Sequence, residues 1–294
     1  MINGVLVIDK PEGVTSHDVV VRVRGWARQR RVGHLGTLDP LATGVLPLAL
    51  GEATKLSRLL TLGQKGYAGR IRLGTETATY DREGEVLGEF EGPWPGREEV
   101  EKALGTFRGE IEQVPPPFSA VKRGGEASYR RARRGEQVEL DPRKVTVYQL
   151  EVTSYEPPLV GLEVLCSAGT YLRSLAHDVG RMLGTGGTLW NLRRTRSGPF
   201  TLDTAIRLDD LADADPGRVI PMAASTGLPT YEVNLRTARN VSQGMQLGRH
   251  EVPGAVSGGY AQLVHKGKLV ALVEAQLGIP VLRTVRVFLE WTGA

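Results

Sequence analysis

Apolar residues along the chain fall in short runs that Gly and Pro clusters separate. Residues 67–73 (YAGRIRL) and 144–153 (KVTVYQLEVT) alternate apolar and polar positions, as a strand with one buried face does. Residues 161–166 (GLEVLC) are a third candidate strand. A shorter apolar run, Val5–Ile8, ends at the turn 9–13 (DKPEG). The pattern therefore predicts that strands make up much of the chain.

The segment after this first turn has the pattern of an amphipathic helix. Thr15 or Ser16 is in position to cap its N-terminus, and Asp18 lies in the first turn. One helix is therefore predicted here, with apolar residues that return at helical spacing. Those residues are Val19, Val20, Val23, Trp26 and Ala27.

Further helices are predicted at 97–106, at 171–183 and near 207–212. Strands and helices do not alternate in the regular rhythm of a βαβ protein. The predicted fold class is therefore α+β, with a mixed, mostly antiparallel sheet in a large first domain.

A small second domain is predicted at the C-terminal end. Residues 221–230 (PMAASTGLPT) are small and contain Pro, as a linker does. Short β runs follow, and two of them flank a Lys-Gly-Lys turn at 266–268 that suits a hairpin. The runs are 260–265, 269–274 and 281–289. The predicted boundaries are 1–228 for the large domain and 229–294 for the small β domain.

The composition fits a folded protein with a basic surface. Hydrophobic residues make up 40% and charged residues 24% of the 294 positions, which allows a core and argues against disorder. The net charge is +4, and 29 of the 37 basic residues are Arg, whose planar guanidinium suits phosphates and bases. This basicity is compatible with a nucleic-acid partner, but the base composition of a genome would also explain it.

The cysteine content indicates a reducing compartment. The single Cys166 excludes a disulfide within the chain. The N-terminal MINGVLVIDKPEG lacks the basic start and long apolar core of a signal peptide. No apolar run approaches roughly 18 residues, the length typical of a membrane span. A cytoplasmic protein without a membrane segment is therefore expected.

Several common chemistries lack their residues in this sequence. The histidines are scattered, and none has zinc-ligand spacing with the cysteine. There is no Walker loop and no GxSxG motif. The glycines at 184–187 miss the dinucleotide fingerprint because Leu189 stands where the third Gly belongs. Hydride, phosphoryl and metal chemistry are not predicted, and neither a cofactor nor a metal is expected.

A Gly-rich segment at 33–44 (GHLGTLDPLATG) surrounds one aspartate, Asp39. Its glycines allow tight turns and close approach of another backbone. Pro40 disfavours the helical region for Asp39 and holds it extended. Taken alone, such an Asp is a turn or capping residue. A carboxylate held on a sharp turn also suits a nucleophile, and the residues by themselves leave both readings open.

Several separate motifs resemble those of the TruB family, which makes pseudouridine at position 55 of the tRNA T-arm. Their order and spacing cover nearly 200 residues. The motifs are DKPxGxTS at 9–16, GHLGTLDPLATGVLPL at 33–48, KGY at 65–67, DREG at 81–84, PPPFSAVKRGGEASYRRAR at 115–133, GTYLRS at 169–174, LRR at 192–194 and SGPF at 197–200. The stretch ETATYDREG departs from the family, which carries more acidic residues there. The tail resembles a PUA-type RNA-binding domain through Ala238, Gly244 and the predicted hairpin.

The resemblance implies roles for five residues around the target base. Asp39 is the nucleophile, and Arg173 pairs with its carboxylate. Tyr67 stacks on the uracil, and its hydroxyl is a candidate for removing the C5 proton. Tyr171 lies beside the base, and Leu192 packs against the flipped nucleotide. Attack on C6, attack on C1′ and assistance in removing a ribose proton all remain open for Asp39.

The resemblance also implies residues that bind the surrounding RNA. His34 inserts into the T-loop and fills space left by flipped bases, and Lys10 supports the rim of the site. Five arginines are candidate phosphate contacts, either on a mobile element that closes over RNA or beside the site. They are Arg123, Arg130, Arg131, Arg134 and Arg193, and Arg133, Arg194 and Arg196 have similar standing. An exposed helix with solvated charges is the alternative for the first group.

The leading hypothesis is a tRNA uridine-to-pseudouridine isomerase that acts as a monomer on the T-arm stem-loop without a cofactor. One alternative is an RNA-guided relative that shares the catalytic motif, although the DKP motif so near the N-terminus favours the stand-alone bacterial type. A second alternative is an RNA-binding or tRNA-folding protein without catalysis, against which the intact Asp39, Tyr67 and Arg173 argue.

Overall fold

The computed structural model describes most of the chain, in two sheets with helices packed against them. The described residues are 1–119, 122–123, 126–127, 134, 140–252, 259–276 and 279–288. Six α-helices occur in these ranges: α1 (Ser16–Ala27), α2 (Ser57–Thr61), α3 (Arg97–Gly105), α4 (Leu172–Met182), α5 (Met222–Ser225) and α6 (Leu235–Ser242). None of the described helices is both long and apolar enough to cross a membrane.

Ten described strands form the large sheet. They are β1 (Gly4–Lys10), β2 (Val32–His34), β3 (Ala42–Leu50), β4 (Lys65–Leu73), β7 (Gly109–Gln113), β10 (Arg143–Glu156), β11 (Leu159–Cys166), β12 (Gly187–Ser197), β13 (Phe200–Thr201) and β14 (Ile206–Arg207). Two small hairpins lie outside it: β5 (Thr75–Thr77) with β6 (Val86–Glu89), and β8 (Lys122–Arg123) with β9 (Glu126–Ala127).

The strand order of the large sheet is β14-β1-β3-β12-β4-β11-β10-β7, with β2 on β3 and β13 on β12. Only the β1–β14 and β3–β12 pairs are parallel, and the other pairs of this sheet are antiparallel. The predicted α+β class with a mixed, mostly antiparallel sheet is confirmed. The central strands β3, β12 and β4 come from distant parts of the chain, so the sheet brings distant motifs together.

The first helix begins as the sequence predicts. Thr15 accepts a hydrogen bond from the Asp18 amide at 3.1 Å, and the Asp18 carboxylate accepts one from the Thr15 amide at 2.8 Å. This reciprocal pair satisfies two amides that the helix itself leaves free. Thr15 is therefore the cap, and Ser16 is already inside the helix.

The helix predicted near 207–212 is wrong in type. Leu208–Asp213 forms a 3-10 helix. Its two buried residues, Leu208 and Leu211, are three positions apart, so one face of a three-residue turn is enough to bury both. The helices predicted at 97–106 and 171–183 correspond to α3 and α4.

A second sheet forms near the C-terminus. Its order is β15-β17-β18-β19-β16, from β15 (Thr230–Glu232), β16 (Leu247–Gly248), β17 (Gly259–His265), β18 (Lys268–Ala275) and β19 (Val281–Val287). The predicted Lys-Gly-Lys turn joins β17 to β18. Val264, Leu269 and Phe288 share a core cluster with Val5 and Phe200, so the two sheets pack against each other. The domain boundaries at 228 and 229 stay a prediction.

Two further core clusters flank the centre of the large sheet. One joins α1 to β1 and β3 and includes Val19 and Leu46. The other joins α4 to β4, β11 and β12 and includes Leu175 and Val164. Leu192 on β12 packs against both clusters. The sheet between these clusters carries the candidate site.

Candidate active site

A row of side chains crosses neighbouring strands of the large sheet. Residues that are directly paired in adjacent strands point to the same face. Strands β1, β3, β12, β4 and β11 each contribute one residue to the row. These residues are Lys10, Gly44, Arg194, Tyr67 and Val164. The row therefore places two cations and a tyrosine from three distant motifs on one face.

Arg194 anchors the loop that carries Asp39. Its side chain is 1% exposed, and its guanidinium contacts three backbone carbonyls. Nε donates to the oxygen of Val45 at 2.7 Å, while Nη2 and Nη1 donate to those of Gly36 and Thr37 at 3.1 and 3.3 Å. Burial lowers the pKa of this guanidinium. The sequence placed Arg194 among candidate RNA contacts, and the structure places it in the core instead.

Lys10 holds the same loop from the neighbouring strand. The residue is fully buried, and Nζ donates to the carbonyl oxygens of Pro11 at 2.9 Å, Val14 at 2.8 Å and Pro40 at 3.2 Å. Burial lowers the pKa of the amine to about 8, although the Asp39 carboxylate partly opposes this. The structure therefore places Lys10 beneath the loop, with all three ammonium protons donated to carbonyls, whereas the resemblance implied a supporting residue at the rim of the site.

The backbone on both sides of Asp39 is also fixed. The Ser16 hydroxyl donates to the Leu38 carbonyl at 2.9 Å and accepts from the Leu38 amide at 2.8 Å. The Ala42 amide donates to the Asp39 carbonyl at 3.0 Å. These bonds and the carbonyl contacts of Lys10 and Arg194 fix the backbone of the loop. The Asp39 side chain extends from this fixed backbone.

Arg173 forms an ion pair with Asp39. Its Nε lies 3.0 Å from Asp39 Oδ2. The Arg173 side chain is 7% exposed, whereas the Asp39 side chain is 43% exposed. Arg173 lies in the first turn of α4, so the packing of this helix fixes the backbone from which its side chain extends. The predicted Asp39–Arg173 contact is therefore present, with the carboxylate open to an approaching molecule.

The rest of the Arg173 guanidinium is also occupied. Nη1 donates to the carbonyl of Thr79 at 3.1 Å and lies 3.5 Å from Asp81 Oδ2, and Nη2 donates to the carbonyl of Phe118 at 3.0 Å. Burial raises the pKa of Asp81, and Thr79 and Arg173 oppose that rise. Asp81 has no role in the predicted site. Its place in the DREG motif was the one signal that could have singled it out.

Tyr67, Leu192 and Tyr171 are the other residues predicted to lie beside the target base. Tyr67 and Leu192 are partly buried and pack against the α4 cluster. Burial raises the pKa of Tyr67 most, and the Asp39 carboxylate adds to the rise, so the two side chains are within electrostatic reach. Tyr171 is held through its backbone, because Gln113 donates to its carbonyl at 3.0 Å and accepts from its amide at 2.7 Å. Burial raises the pKa of Tyr171 most, and Asp39 adds to that rise too, so both tyrosines lie within electrostatic reach of Asp39. Leu192 lines a small cavity together with Tyr67.

His34 lies at the end of β2, paired with Leu48 of β3. It is partly buried, and its Nδ1 has no hydrogen-bond partner among the described residues. Burial lowers the pKa of the imidazole most, and the Arg194 guanidinium lowers it further. The ring is therefore neutral at pH 7.

Comparison with known proteins decides the family. The family model described as "TruB family pseudouridylate synthase (N terminal domain)" matches residues 24–172, and the one described as "tRNA pseudouridylate synthase B C-terminal domain" matches residues 173–216. The chain belongs to the TruB family. The N-terminal match contains Asp39, Tyr67 and Tyr171, and Arg173 is the first residue of the C-terminal match.

Relatives resemble the chain over nearly its whole length. A "tRNA pseudouridine synthase B" of Nocardia farcinica is 47% identical over 93% of this chain and 90% of its own. One from Streptomyces avermitilis is 44% identical over 94% of each. Among solved structures, a chain of a "Cbf5-Nop10-Gar1 Complex" superposes with a TM-score of 0.75 and 31% identity, over 97% of this chain and 85% of that one. The TruB assignment therefore covers both sheets.

The arginines predicted to contact phosphates differ in their surroundings, and several lie outside the described residues. Arg193 is paired with Asp9, through Nη2–Oδ2 at 2.7 Å and Nη1–Oδ1 at 3.1 Å. Its guanidinium is therefore already engaged by a carboxylate in the free protein. Arg134 is an exposed turn residue. Arg130, Arg131, Arg133 and the side chain of Arg123 lie outside the described residues. Whether these six arginines contact RNA stays a prediction.

An open cleft adjoins the site. Its volume is about 460 Å³, and Leu41 and Leu192 line the end nearest the Asp39 loop. Arg70, Arg193 and Glu163 contribute charges to its lining. Among the described residues, no cluster of three or more His, Cys, Asp or Glu side chains is suited to hold a metal ion.

Proposed function

We propose that this TruB protein isomerises uridine to pseudouridine at position 55 in the T-arm of tRNA, with Asp39 as the nucleophile. The observation that carries the proposal is the 3.0 Å ion pair between Arg173 Nε and an Asp39 carboxylate that remains 43% exposed. Relatives that match over nine tenths of the chain are named as tRNA pseudouridine synthases, which supports tRNA as the substrate.

The reaction needs only groups that this site holds. The N1–C1′ bond of uridine breaks, the uracil rotates, and a C5–C1′ bond forms. The proton on C5 leaves and N1 gains one, so atoms and electrons balance without an oxidant or a cofactor. The Arg173 guanidinium holds Oδ2 of Asp39 in an ion pair, which leaves Oδ1 for the substrate. A charged, oriented carboxylate is the group such a nucleophilic step requires.

Tyr67 stacks on the uracil in this proposal. Burial raises the pKa of its hydroxyl, so the side chain is a neutral phenol at pH 7. A neutral ring in an apolar setting beside Leu192 suits stacking on a flipped base. The phenolate would be a strong base, but it is scarce at neutral pH. Its burial therefore supports the stacking role more than removal of the C5 proton.

His34 helps to expose the target in the folded tRNA. Extracting a base from its stack costs a few kcal/mol, and a planar group that replaces it offsets part of that cost. The imidazole at the end of β2 fits this role because it is planar, only partly buried and neutral at pH 7. The candidate arginines, Arg123, Arg130, Arg131, Arg134 and Arg193, contact the surrounding phosphates in this proposal.

We further propose that the protein acts as a monomer in the cytoplasm, where tRNA is modified. One chain supplies every described group at the site, so a second copy is not needed to complete it. The C-terminal sheet contributes to RNA binding as a PUA-like domain. The two sheets share a core cluster, so RNA held on the C-terminal sheet would keep a fixed position relative to the site.

Tritium release tests the proposal. The wild-type protein is incubated with a T-arm stem-loop that carries tritium at C5 of the target uracil, and released tritium is counted. Release is expected from the wild type and not from Asp39→Asn, while both bind the stem-loop with similar affinity because the phosphate contacts lie elsewhere. The control is Asp210→Asn, which changes an exposed carboxylate in a weak surface pair and should release tritium normally.

Each outcome has a distinct meaning. Binding without release by the wild type would overturn the enzymatic proposal and indicate a non-catalytic RNA-binding protein. Full activity of Asp39→Asn would show that another group is the nucleophile. An anticodon stem-loop with a labelled uridine should release no tritium, and equal release from it would overturn the assignment to the T-arm.

A further inference from the structure

A stacked aromatic pair, Tyr80 and His177, lies at the helix that carries Arg173. The rings of Tyr80 and His177 are 3.9 Å apart between centroids, with 7° between their planes. His177 belongs to α4 and follows Arg173 by four residues, so both project from one face of the helix. The stack therefore joins α4, which carries Arg173, to the loop that contains Tyr80.

The Tyr80 backbone is strained. Its φ is +63°, in the left-handed region, which costs a residue with a side chain about 1 kcal/mol or more. The backbone is held nonetheless, because the Leu189 amide donates to the Tyr80 carbonyl at 3.0 Å and the Tyr80 amide donates to the Thr77 carbonyl at 3.2 Å. Glycine would adopt this φ without cost. The structure thus retains a tyrosine where the backbone favours glycine.

The neighbours of Tyr80 hold the Arg173 guanidinium. Thr79 precedes it and accepts from Arg173 Nη1 at 3.1 Å, and Asp81 follows it with Oδ2 at 3.5 Å from the same nitrogen. Arg173 Nε then faces Asp39. A shift of the Tyr80 loop would move both acceptors at once. The guanidinium would keep its hydrogen bond to the Phe118 carbonyl. It would lose the contacts of Nη1 with Thr79 and Asp81, which fix the orientation of the guanidinium plane.

We propose that Tyr80 and His177 are positioning residues for the reaction. Their stack holds the loop against α4, so that Thr79 and Asp81 keep Arg173 rotated with Nε toward Asp39. The inference rests on the proposed function, since it assigns these residues to the same isomerisation. Besides Asp81, which follows Tyr80 in the chain, the charged groups that act on the stacked pair are Glu76, Asp178 and Arg181.

The test separates positioning from folding. Tyr80→Gly relieves the left-handed backbone, so the thermal midpoint should stay within a few degrees of wild type. Its kcat for tritium release should fall about tenfold or more, with KM for the stem-loop within about twofold, because RNA contacts are unchanged. Tyr80→Phe and His177→Phe keep two stacked planar rings and should retain kcat. His177→Ala should behave like Tyr80→Gly.

A second measurement does not depend on activity. In protein labelled with ¹⁵N-arginine, the Nε–H signal of Arg173 is identified by its loss in Arg173→Lys. Its exchange with solvent should be slow in wild type and at least about tenfold faster in Tyr80→Gly. Wild-type kcat in Tyr80→Gly, or unchanged Nε–H exchange, would overturn the positioning role. Absence of tritium release from the wild type would overturn the proposed function instead, and the exchange measurement would still decide this inference.

A double variant tests whether Tyr80 affects kcat through the groups that hold Arg173. If Tyr80 acts through the acceptors of Arg173, then Tyr80→Gly should lower kcat by less than about twofold further in an Asp81→Asn background. If the two losses multiply in full, the stack acts by another route and the proposal fails.

Discussion

Replacing Lys10 by Met should give a stability difference that depends on pH. Met keeps the length and apolar volume of the side chain but has no charge and no donor. Two opposing effects then act at pH 7. The carbonyls of Pro11 and Val14 lose the Lys10 ammonium as donor, at about 1–3 kcal/mol each, whereas the Pro40 carbonyl keeps a second donor in the Gly13 amide.

The opposing effect is the charge itself. A fall of the Lys10 pKa from 10.5 to about 8 means that holding the ammonium in the folded protein costs about 3 kcal/mol. Met removes that cost. The gain and the loss are similar in size, so Lys10→Met should lie within about 2 kcal/mol of wild type at pH 7.

The sign of the pH dependence follows from linkage. Between pH 8 and 10.5 the unfolded chain still holds the Lys10 proton, and the folded chain has released it. Proton release of this kind makes the wild type gain stability as pH rises through the window. The variant lacks this gain. The free energy of unfolding of Lys10→Met should therefore fall relative to wild type by about 3 kcal/mol from pH 8 to pH 10.5.

Urea denaturation of both proteins at several pH values across this range measures the difference. Other groups titrate in the same window, but they do so in both proteins and cancel. Lys144→Met is the matched control, because Lys144 is 70% exposed in a surface pair with Glu110 and should show no trend. A constant difference between wild type and Lys10→Met from pH 7 to 10.5 would refute the reasoning that burial lowers the Lys10 pKa.

Two further predictions concern the sheet around the site. Gly44 has φ +98°, and a Cβ there would lie 2.2 Å from the Arg194 carbonyl oxygen, so Gly44→Ala should lower the free energy of unfolding by more than about 3 kcal/mol. Gly33→Ala meets nothing within 4 Å and should change it by less than about 1 kcal/mol; similar urea midpoints for the two would contradict the steric argument. Burial raises the pKa of the Cys166 thiol to about 11, so at pH 8 iodoacetamide should label native protein at least about a hundredfold more slowly than urea-unfolded protein. Comparable labelling rates by mass spectrometry would show that the thiol is accessible.

The sequence predicted the elements of the fold well because each carries its signal locally. The alternation at 67–73 and 144–153 and the cap at Thr15 depend on neighbours within a few residues. The order of strands does not. Nothing within β3, β12 or β4 indicates that they lie side by side, because that pairing joins residues far apart in the chain.

In the site, too, residues within a motif could be predicted, whereas features that depend on strand pairing could not. Asp39, Tyr67 and Arg173 were predicted because each lies in a motif that resembles the TruB family. The adjacent arginines at 193 and 194 could not be told apart, because successive strand residues point to opposite faces and only the pairing decides which face is buried. Pairing with Gly44 and Tyr67 turns Arg194 inward. Arg193 lies on the other face, with Asp9.

Lys10 and Asp81 were misjudged or missed for an energetic reason. A sequence shows that a residue is charged, and the prior for a charged residue is exposure. Burial becomes acceptable only when partners from elsewhere satisfy the charge. For Lys10 the partners are three carbonyls, one of them 30 residues away, and for Asp81 they include Arg173 across the fold. Those partners exist only once the sheet has formed.

In the protein without RNA, the cations of the site are buried and fixed, whereas the Asp39 carboxylate is exposed to water. Lys10 and Arg194 lie buried beneath the loop and are satisfied by carbonyls, so they fix its shape without neutralising Asp39 directly. Arg173 is nearly buried and held on several sides. Only the Asp39 carboxylate extends into solvent. Water competes with such a group in the free protein, and electrostatic effects strengthen when water leaves. We infer that the uridine completes the site: by covering Asp39 it supplies the burial that the protein already gives to Lys10, Arg173 and Arg194.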